Sequence, residues 1–386
     1  MSIYLDHAAT TPMAQVAIEA MSAQLSKIGN PSSLHTQGRA VRKDLEGARE
    51  LIATAVGCLP REIIFTGSGT ESDNTALKGF FWKGRGIGRN LVLISAIEHH
   101  AILDSAHWLA ESEGAEVIEL GVTREGVTDL DGLREVLHRR GDEVAVISVM
   151  SANNETGVIQ PISEIVELAK PYGIPLHSDA VQSFGKVPLS FTGSGLAALT
   201  LSAHKIGGPL GIGALILRAG LDIPALLHGG GQERDIRSGT LNAPAIVAFA
   251  AATQESVDTF HERNERIWKL RERFSEGILT RVPDAFINGI DADRLPGIIN
   301  ATFPGTESDT LLLLLDAKGI SCSTGSACSA GVQRPSHVLL AMGHDDRSAR
   351  STLRFSLGTT TTQDEIEQAL DTLPTVIESA RLANLR

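Results

Sequence analysis

Short apolar runs alternate with helix-length amphipathic stretches along most of this chain. Glu62 to Thr66, Leu91 to Ser95, Val144 to Val149, Ile174 to His177 and Ala197 to Leu201 read as buried strands, because their apolar residues are grouped rather than strictly alternating. A further apolar run leads to Leu217. Between the runs, Val41 to Val56, Ile102 to about Ser112 and Ile162 to Tyr172 read as helices. Val41, Leu45, Ala48, Leu51, Ile52 and Ala55 mark one face of the first of these, and Gly57 is its natural stop. Pro12 suits the first turn of a helix through about Leu25. Strands separated by helices predict a mostly parallel sheet with helices on its faces.

The pattern resets after Pro244 to Phe274, a long helix or helix pair. Gly297 to Phe303 is then a strand, Ser308 to Lys318 a helix stopped by Gly319, and Thr352 to Leu357 a strand carrying Arg354. Pro335 to Met342 and Gln363 to Ala380 read as further helices. The 386 residues suit one large α/β domain with a smaller partner, since single cores stop growing at roughly 250–300 residues. A net charge of −12 argues against nucleic acid or an anionic membrane as a bulk electrostatic partner. No apolar run approaches the roughly 18 residues of a membrane span, and no basic-then-apolar N-terminus suggests a secretory signal. Cys58, Cys322 and Cys328 are too few for a disulfide framework, so a reducing, cytoplasmic location is expected. The scattered histidines match no metal-binding spacing, and no metal is expected.

Candidate chemistry collects just after strand after strand: Thr70, His99, Asn154, Asp179, Gln182, His204 and Lys205. In an open α/β sheet the carboxyl ends of the strands form one rim, where ligands bind. Gly69 and Thr70 open a helix, with Ser68 and Glu71 spaced as a capping box; such an N-terminus suits a phosphate, though a plain strand-to-helix turn reads the same way. Lys205 lies between two apolar runs in Leu199 to Gly213. That stretch alone also reads as a surface lysine in a turn. A desolvated lysine, however, loses basicity and becomes a usable amine. An aldehyde cofactor with a pyridine ring and a phosphate would use the whole set. Lys205 would bind it covalently, and Asp179 would keep the ring nitrogen protonated. His99 would stack on the ring, Gln182 would bond its hydroxyl, and Thr70, Ser202 and His204 would hold the phosphate.

The motifs resemble the cysteine desulfurases, in the class V aminotransferase group of fold-type I pyridoxal-phosphate enzymes. The likeness runs from Tyr4-Leu5-Asp6-His7-Ala8-Ala9-Thr10-Thr11-Pro12 to Arg354-Phe355-Ser356-Leu357-Gly358. It includes Gly69-Thr70-Glu71-Ser72-Asp73-Asn74, Glu98-His99, Asn153-Asn154-Glu155, Asp179-Ala180-Val181-Gln182, Ser202-Ala203-His204-Lys205, Arg237-Ser238-Gly239-Thr240 and Gly325-Ser326-Ala327-Cys328. The resemblance implies a large domain, residues 13–255, around a mostly parallel seven-stranded sheet. It implies a smaller α/β domain from residues 1–12 and 256–386. Pyridoxal phosphate would sit covalently on Lys205, among Gly69, Thr70, His99, Asn154, Asp179, Gln182, Ser202 and His204. Thr240 would reach the phosphate of the neighbouring subunit in a homodimer. Arg354, with Asn30 and Asn154, would hold the substrate carboxylate, and Cys328 would be the nucleophile, with Lys205 and His99 moving protons.

The implied reaction converts L-cysteine to L-alanine and leaves a persulfide on Cys328. An acceptor protein would take the sulfur, an iron–sulfur scaffold by default, with tRNA thiolation and DNA phosphorothioation also open. Cys322 reads as a packing residue at the strand end or a second thiol, with packing favoured, and Cys58 as a structural one. A selenocysteine lyase or another class V enzyme is the rival within the fold. A non-enzymatic sulfur-binding scaffold is the rival outside it, and intact Lys205 and Asp179 weigh against that.

Overall fold

The computed structural model describes residues 2–324 and 335–384. Its strands are β1 (Ile3–Tyr4), β2 (Ile63–Thr66), β3 (Leu91–Ser95), β4 (Glu116–Leu120), β5 (Val144–Ser148), β6 (Leu176–Asp179), β7 (Ala198–Ser202), β8 (Gly213–Leu217), β9 (Phe286–Ile287), β10 (Ile298–Thr302), β11 (Ile320–Ser321) and β12 (Thr352–Ser356). The longer helices are α1 (Gln15–Leu25), α2 (Thr36–Val56), α3 (Gly69–Arg85), α4 (His100–Glu113), α5 (Leu130–Arg140), α6 (Ile162–Ala169), α7 (Ala243–Asp258), α8 (Phe260–Arg281) and α9 (Ser308–Asp316). Short α10 (His337–Ala341) and α11 (Asp346–Arg350) precede the last helix, α12 (Gln363–Asn384).

Seven strands form one sheet in the order β2-β8-β7-β6-β5-β3-β4. The pairs β4–β3, β3–β5, β5–β6 and β6–β7 are parallel, whereas β8 runs antiparallel to β7 and β2. Its strands are apolar on both faces because both faces are covered. Ile63 and Phe65 enter a core with Leu45, Ile52 and Phe249, while Ile64 enters the opposite one with Leu77, Phe81 and Ile102. A separate core gathers Ile3, Leu5, Phe274, Ile278, Phe303, Leu311, Phe355, Leu370 and Ile377 around the β12-β10-β9 sheet. The N-terminal strand joins this second core, where β1 pairs with β11.

Several boundaries differ from the sequence expectation for identifiable reasons. Pro12 lies before α1 rather than in its first turn. The Ala14 amide donates to Gly207 O (2.8 Å), which keeps this segment extended along the Lys205 turn. Helix α2 starts earlier than expected, because the His35 ring accepts from the Gly38 amide and caps it. β4 and α5 carried no expectation. β4 is an edge strand with Glu116 and Glu119 exposed, so it lacks a buried strand's apolar run. β6 extends through Asp179. Its buried His177 is tolerated there because Ser148 (2.9 Å) and Thr200 (3.0 Å), on the flanking strands, bond its two ring nitrogens. Among the described residues, no helix is long and apolar enough to cross a membrane, and no cluster of side chains could hold a metal ion.

Candidate active site

The carboxyl ends of the parallel neighbours β7, β6, β5 and β3 lie along one edge of the sheet, and the loop 6–11 is a strap hydrogen-bonded to side chains there. Lys205 sits in a single 3-10 turn after β7, closed by Gly207 with φ 85°. Its Nζ donates to Ala8 O (2.5 Å) and Ala9 O (2.8 Å) of the strap. The Thr11 amide donates to His204 O (3.3 Å), and the His204 ring bonds the Thr10 hydroxyl (3.2 Å). Strap and lysine turn are thus one hydrogen-bonded unit. Desolvation, then the nearby Arg354 charge, pushes the Lys205 amine down to about 8 against the opposing pull of Asp179 and Asp6. The surface-lysine reading of this stretch is therefore discarded.

Asp179 ends β6 with 6% exposure. Its Oδ1 accepts from the Val181 amide (2.7 Å), and its Oδ2 takes no protein partner among the described residues. Burial raises its pKa to about 6, opposed by the Val181 hydrogen bond and the Lys205 charge. Gln182 is buried beside it and donates from Nε2 to Ala8 O (2.9 Å). Ser202 is buried, and its hydroxyl has no protein partner among the described residues. It lies against Gly69, where an added Cβ would come within 3.5 Å of Ser202 Cβ and 2.9 Å of Val181 Cγ2. Gly69 and exposed Thr70 open α3, whose cap is Ser68, accepting from the Glu71 amide (3.1 Å). Only half of the expected capping box forms. The Glu71 carboxylate turns to the Gly67 amide (2.7 Å) and to Arg237 (2.7 Å) instead of the Ser68 amide. That ion pair ties down the loop running to Thr240, which is exposed.

His99 caps α4 by accepting from the Ala101 amide (3.1 Å) through Nδ1. Nε2 therefore carries the proton in the neutral ring. Although the residue is exposed, desolvation of its ring and then the Lys205 charge hold it below the ordinary histidine range. Glu98 beside it is buried, and burial raises its carboxyl well above the usual range; Oε1 accepts from the Met150 amide (2.6 Å).

Arg354, the expected carboxylate-binding residue, lies on β12. Arg354 donates from Nη1 to Asn154 O (3.0 Å) and from Nη2 to Asp6 Oδ1 (2.8 Å), while its buried Nε has no partner among the described residues. The Asn154 side chain has no partner among the described residues. Asn30 is on the exposed α1–α2 loop, where its Oδ1 accepts from the Ser32 amide (2.9 Å); no hydrogen bond joins it to Arg354 among the described residues. Cys322 is a packing residue, buried in the second core with its thiol pushed up to about 12 by desolvation. Cys58 is likewise pushed up to about 12, chiefly by burial. Cys328, with Gly325 to Ala327, lies outside the described residues. Ser323 pairs with Arg354 across a β-bridge, and the Ser336 hydroxyl donates to Glu155 Oε2 (2.5 Å).

This donor set fits a pyridine ring with a phosphate. Asp179 Oδ2 and Ser202 Oγ are free for a ligand, and Gly69 leaves the start of α3 uncovered beside them. The sequence reading missed the strap as a functional element. Its signal was Asp6-His7, polar residues directly after an apolar run, as at the other strand ends.

Residues 3–369 match the family model described as aminotransferase class-V. A relative from Mycobacterium tuberculosis described as an IscS-like cysteine desulfurase is 51% identical over 385 residues, covering 99% of this chain and 98% of its own. A solved structure titled NifS-like protein superposes with a TM-score of 0.91 at 34% identity, covering 98% of this chain and all (100%) of that one. Another, titled SspA in complex with cysteine, gives 0.81 at 33% identity, covering 94% of this chain and 100% of the other.

Proposed function

The chain belongs to the class-V aminotransferase family and is a pyridoxal-phosphate-dependent cysteine desulfurase, and from that premise we propose how its residues divide the work. The observation that carries the assignment is the strap: one loop receives the Lys205 amine on Ala8 and Ala9 and the Arg354 guanidinium on Asp6. An amine suited to covalent attachment and a cation suited to an amino-acid carboxylate are thereby held by one loop. We read residues 13–255 as the unit that holds the cofactor. Residues 1–12 and 256–386 form the unit that brings Arg354 and Cys328 to it.

Lys205 takes the cofactor covalently, and Asp179 Oδ2 holds a proton at its ring nitrogen. Gln182 donates to its ring oxygen and His99 covers one ring face. The Gly69–Thr70 amides, with Thr70, Ser202 and His204, hold the phosphate, and Thr240 of a second copy completes that cradle in a homodimer. Bound there, the cofactor supplies an electron sink for negative charge developing at the substrate Cα. Arg354 and Asn154 orient the L-cysteine carboxylate, with Asn30 assisting from the α1–α2 loop. The Lys205 amine, released when substrate binds, accepts the Cα proton, and its depressed pKa lets it do so near neutral pH. His99, held neutral, is placed to assist.

The Cys328 thiolate then attacks the substrate sulfur. The new S–S bond forms as the substrate Cβ–S bond breaks, its electron pair stays with carbon, and protonation there gives L-alanine and a persulfide on Cys328. That sulfur passes to an acceptor protein, by default one that assembles iron–sulfur clusters, in the cytoplasm. The test is Cys328→Ser. Supplied with L-cysteine and a reductant, the cofactor-loaded variant should still show the cofactor's visible band but release neither sulfide nor alanine at a measurable rate. Full activity in this variant would overturn Cys328 as the nucleophile.

A further inference from the structure

Lys186 is an ionisable residue that the reaction above does not use. It follows Gly185, a left-handed residue with φ 73°, in the run of turns that also carries Gln182. Its Nζ donates to Gln182 Oε1 (3.0 Å), the one hydrogen bond its ammonium makes among the described residues. No carboxylate lies within ion-pair distance of it there. The turn is clamped from α8: Arg263 donates to Gly185 O, and Asn264 Nδ2 donates to Lys186 O (3.1 Å). Behind Lys186 and Lys205 opens a cavity of about 540 Å³, also lined by Glu255, Glu262, Arg263 and Arg266. Desolvation first, then Lys205, Arg263 and Arg354, pushes the Lys186 amine down to about 7. A methionine would fill the same space without desolvating a charge, so packing alone does not account for a lysine here.

We propose that Lys186 is a positioning residue that locks the Gln182 carboxamide with its amino edge toward the cofactor ring. The proposal rests on the reading that Gln182 meets the ring oxygen. The two ends of a carboxamide are nearly alike in shape, so hydrogen-bond partners alone decide which way it points. Here both partners decide it the same way. The Ala8 carbonyl can only accept, so Nε2 faces the strap; Lys186 donates to Oε1 as an ammonium and still offers an N–H to it as the neutral amine above about pH 7. Reversal would set donor against donor and acceptor against acceptor. Nε2 keeps one N–H beyond Ala8, and that N–H is what the ring oxygen receives. A donor there favours the ionised ring oxygen and lowers the pH at which the cofactor-bound Lys205 nitrogen loses its proton. Through Arg263 and Asn264, the position of α8 reaches Gln182 by the same route.

The experiment is a pH titration of the visible absorption spectrum of the full-length protein loaded with pyridoxal phosphate. It compares wild type, Lys186→Met, Lys186→Arg, Gln182→Ala and the Gln182→Ala/Lys186→Met double variant. Lys186→Met should raise the midpoint by about one pH unit, the scale of one hydrogen bond to a charged group. Lys186→Arg keeps a donor and should stay near wild type. In the Gln182→Ala background, loss of Lys186 should add less than about 0.3 unit, since the two act as one. An unmoved midpoint in Lys186→Met overturns the proposal. So does a shift as large in the Gln182→Ala background as alone, which would make Lys186 a bare charge. An unmoved midpoint in Gln182→Ala itself instead removes Gln182 from the ring oxygen, and the proposal falls with that reading. Lys186→Ala carries the same measurement should the methionine variant not fold.

Discussion

The turn after β7 and the strand β12 each bring one cation to the strap, and they hold it in opposite ways. Lys205 is met by two neutral carbonyls and has no carboxylate within ion-pair distance among the described residues. Arg354 is met by the Asp6 carboxylate, with the two side chains 5% and 20% exposed. Carbonyls orient an ammonium without stabilising its charge as a carboxylate would, so the Lys205 amine stays easy to deprotonate. In the proposed reaction the guanidinium has the reverse task. It must remain a fixed fork for a carboxylate, and an anion behind it holds that fork in place. The proposed chemistry needs a labile proton at one site and a permanent charge at the other, and the backbone of one loop supplies the first while a side chain of that loop supplies the second.

The largest expected effect lies on the lysine side. Lys205→Ala should abolish the visible band of covalently held cofactor and lower turnover of L-cysteine by about 10²–10⁴-fold, the span of a lost general acid–base group. A retained band with near-normal turnover would erase the contrast. On the arginine side, Arg354→Lys keeps the charge but loses the fork. It should lower kcat/KM about 10- to 100-fold, carried mainly by KM, as expected for weakened carboxylate binding. An equal loss in kcat with KM unchanged would move Arg354 from binding to chemistry. Asp6→Asn keeps the shape and a weaker acceptor for Arg354 Nη2. It should raise KM a few-fold and cost on the order of 1 kcal/mol of stability in urea unfolding, because the pair is only partly buried. A KM unchanged in this variant would mean that Arg354 needs no anion behind it.

This contrast was half legible in the sequence. Asp179, Gln182, Ser202, His204 and Lys205 lie within or at the ends of apolar strands, so the strand pattern alone pointed them at one rim. The parallel core of the sheet was readable for the same reason: strands buried on both faces are continuous in hydrophobicity. Edge strand β4 was not, because its exposed glutamates leave no such run. The strap escaped for a different reason. It joins Lys205 to Arg354 mostly through backbone carbonyls and amides, at separations of 197 residues to Ala8 and 348 to Asp6. Backbone groups are the same at every position, so no residue pattern announces them. The Gln182–Lys186 pair is four residues apart, yet its meaning depends on Ala8 lying on the far side of the amide.

The smallest effect tests the lysine side without any chemistry. In cofactor-free protein the Lys205 amine, pushed from 10.5 to about 8, releases its proton while the unfolded chain still holds one. Between about pH 8 and 10.5 the unfolded state therefore binds more protons, and stability rises with pH across that window. Below pH 8 both states are protonated and the penalty of the charged, desolvated amine is constant. Lys205→Met removes this dependence. Lys186, pushed to about 7 partly by the Lys205 charge, contributes with the same sign from about pH 7 upward; its depression lessens once Lys205 is replaced, which adds to the difference between the two proteins. Lys205 keeps partial solvent contact, so the gain is about 1–2 kcal/mol, less than the shift converted in full. Melting curves of the two cofactor-free proteins from pH 7 to 10.5 should show the wild type gaining about 1–4 °C on the variant above pH 8. Parallel curves would mean that the Lys205 amine keeps its ordinary basicity in the fold, and that the carbonyl-held lysine and the carboxylate-held arginine differ in geometry alone.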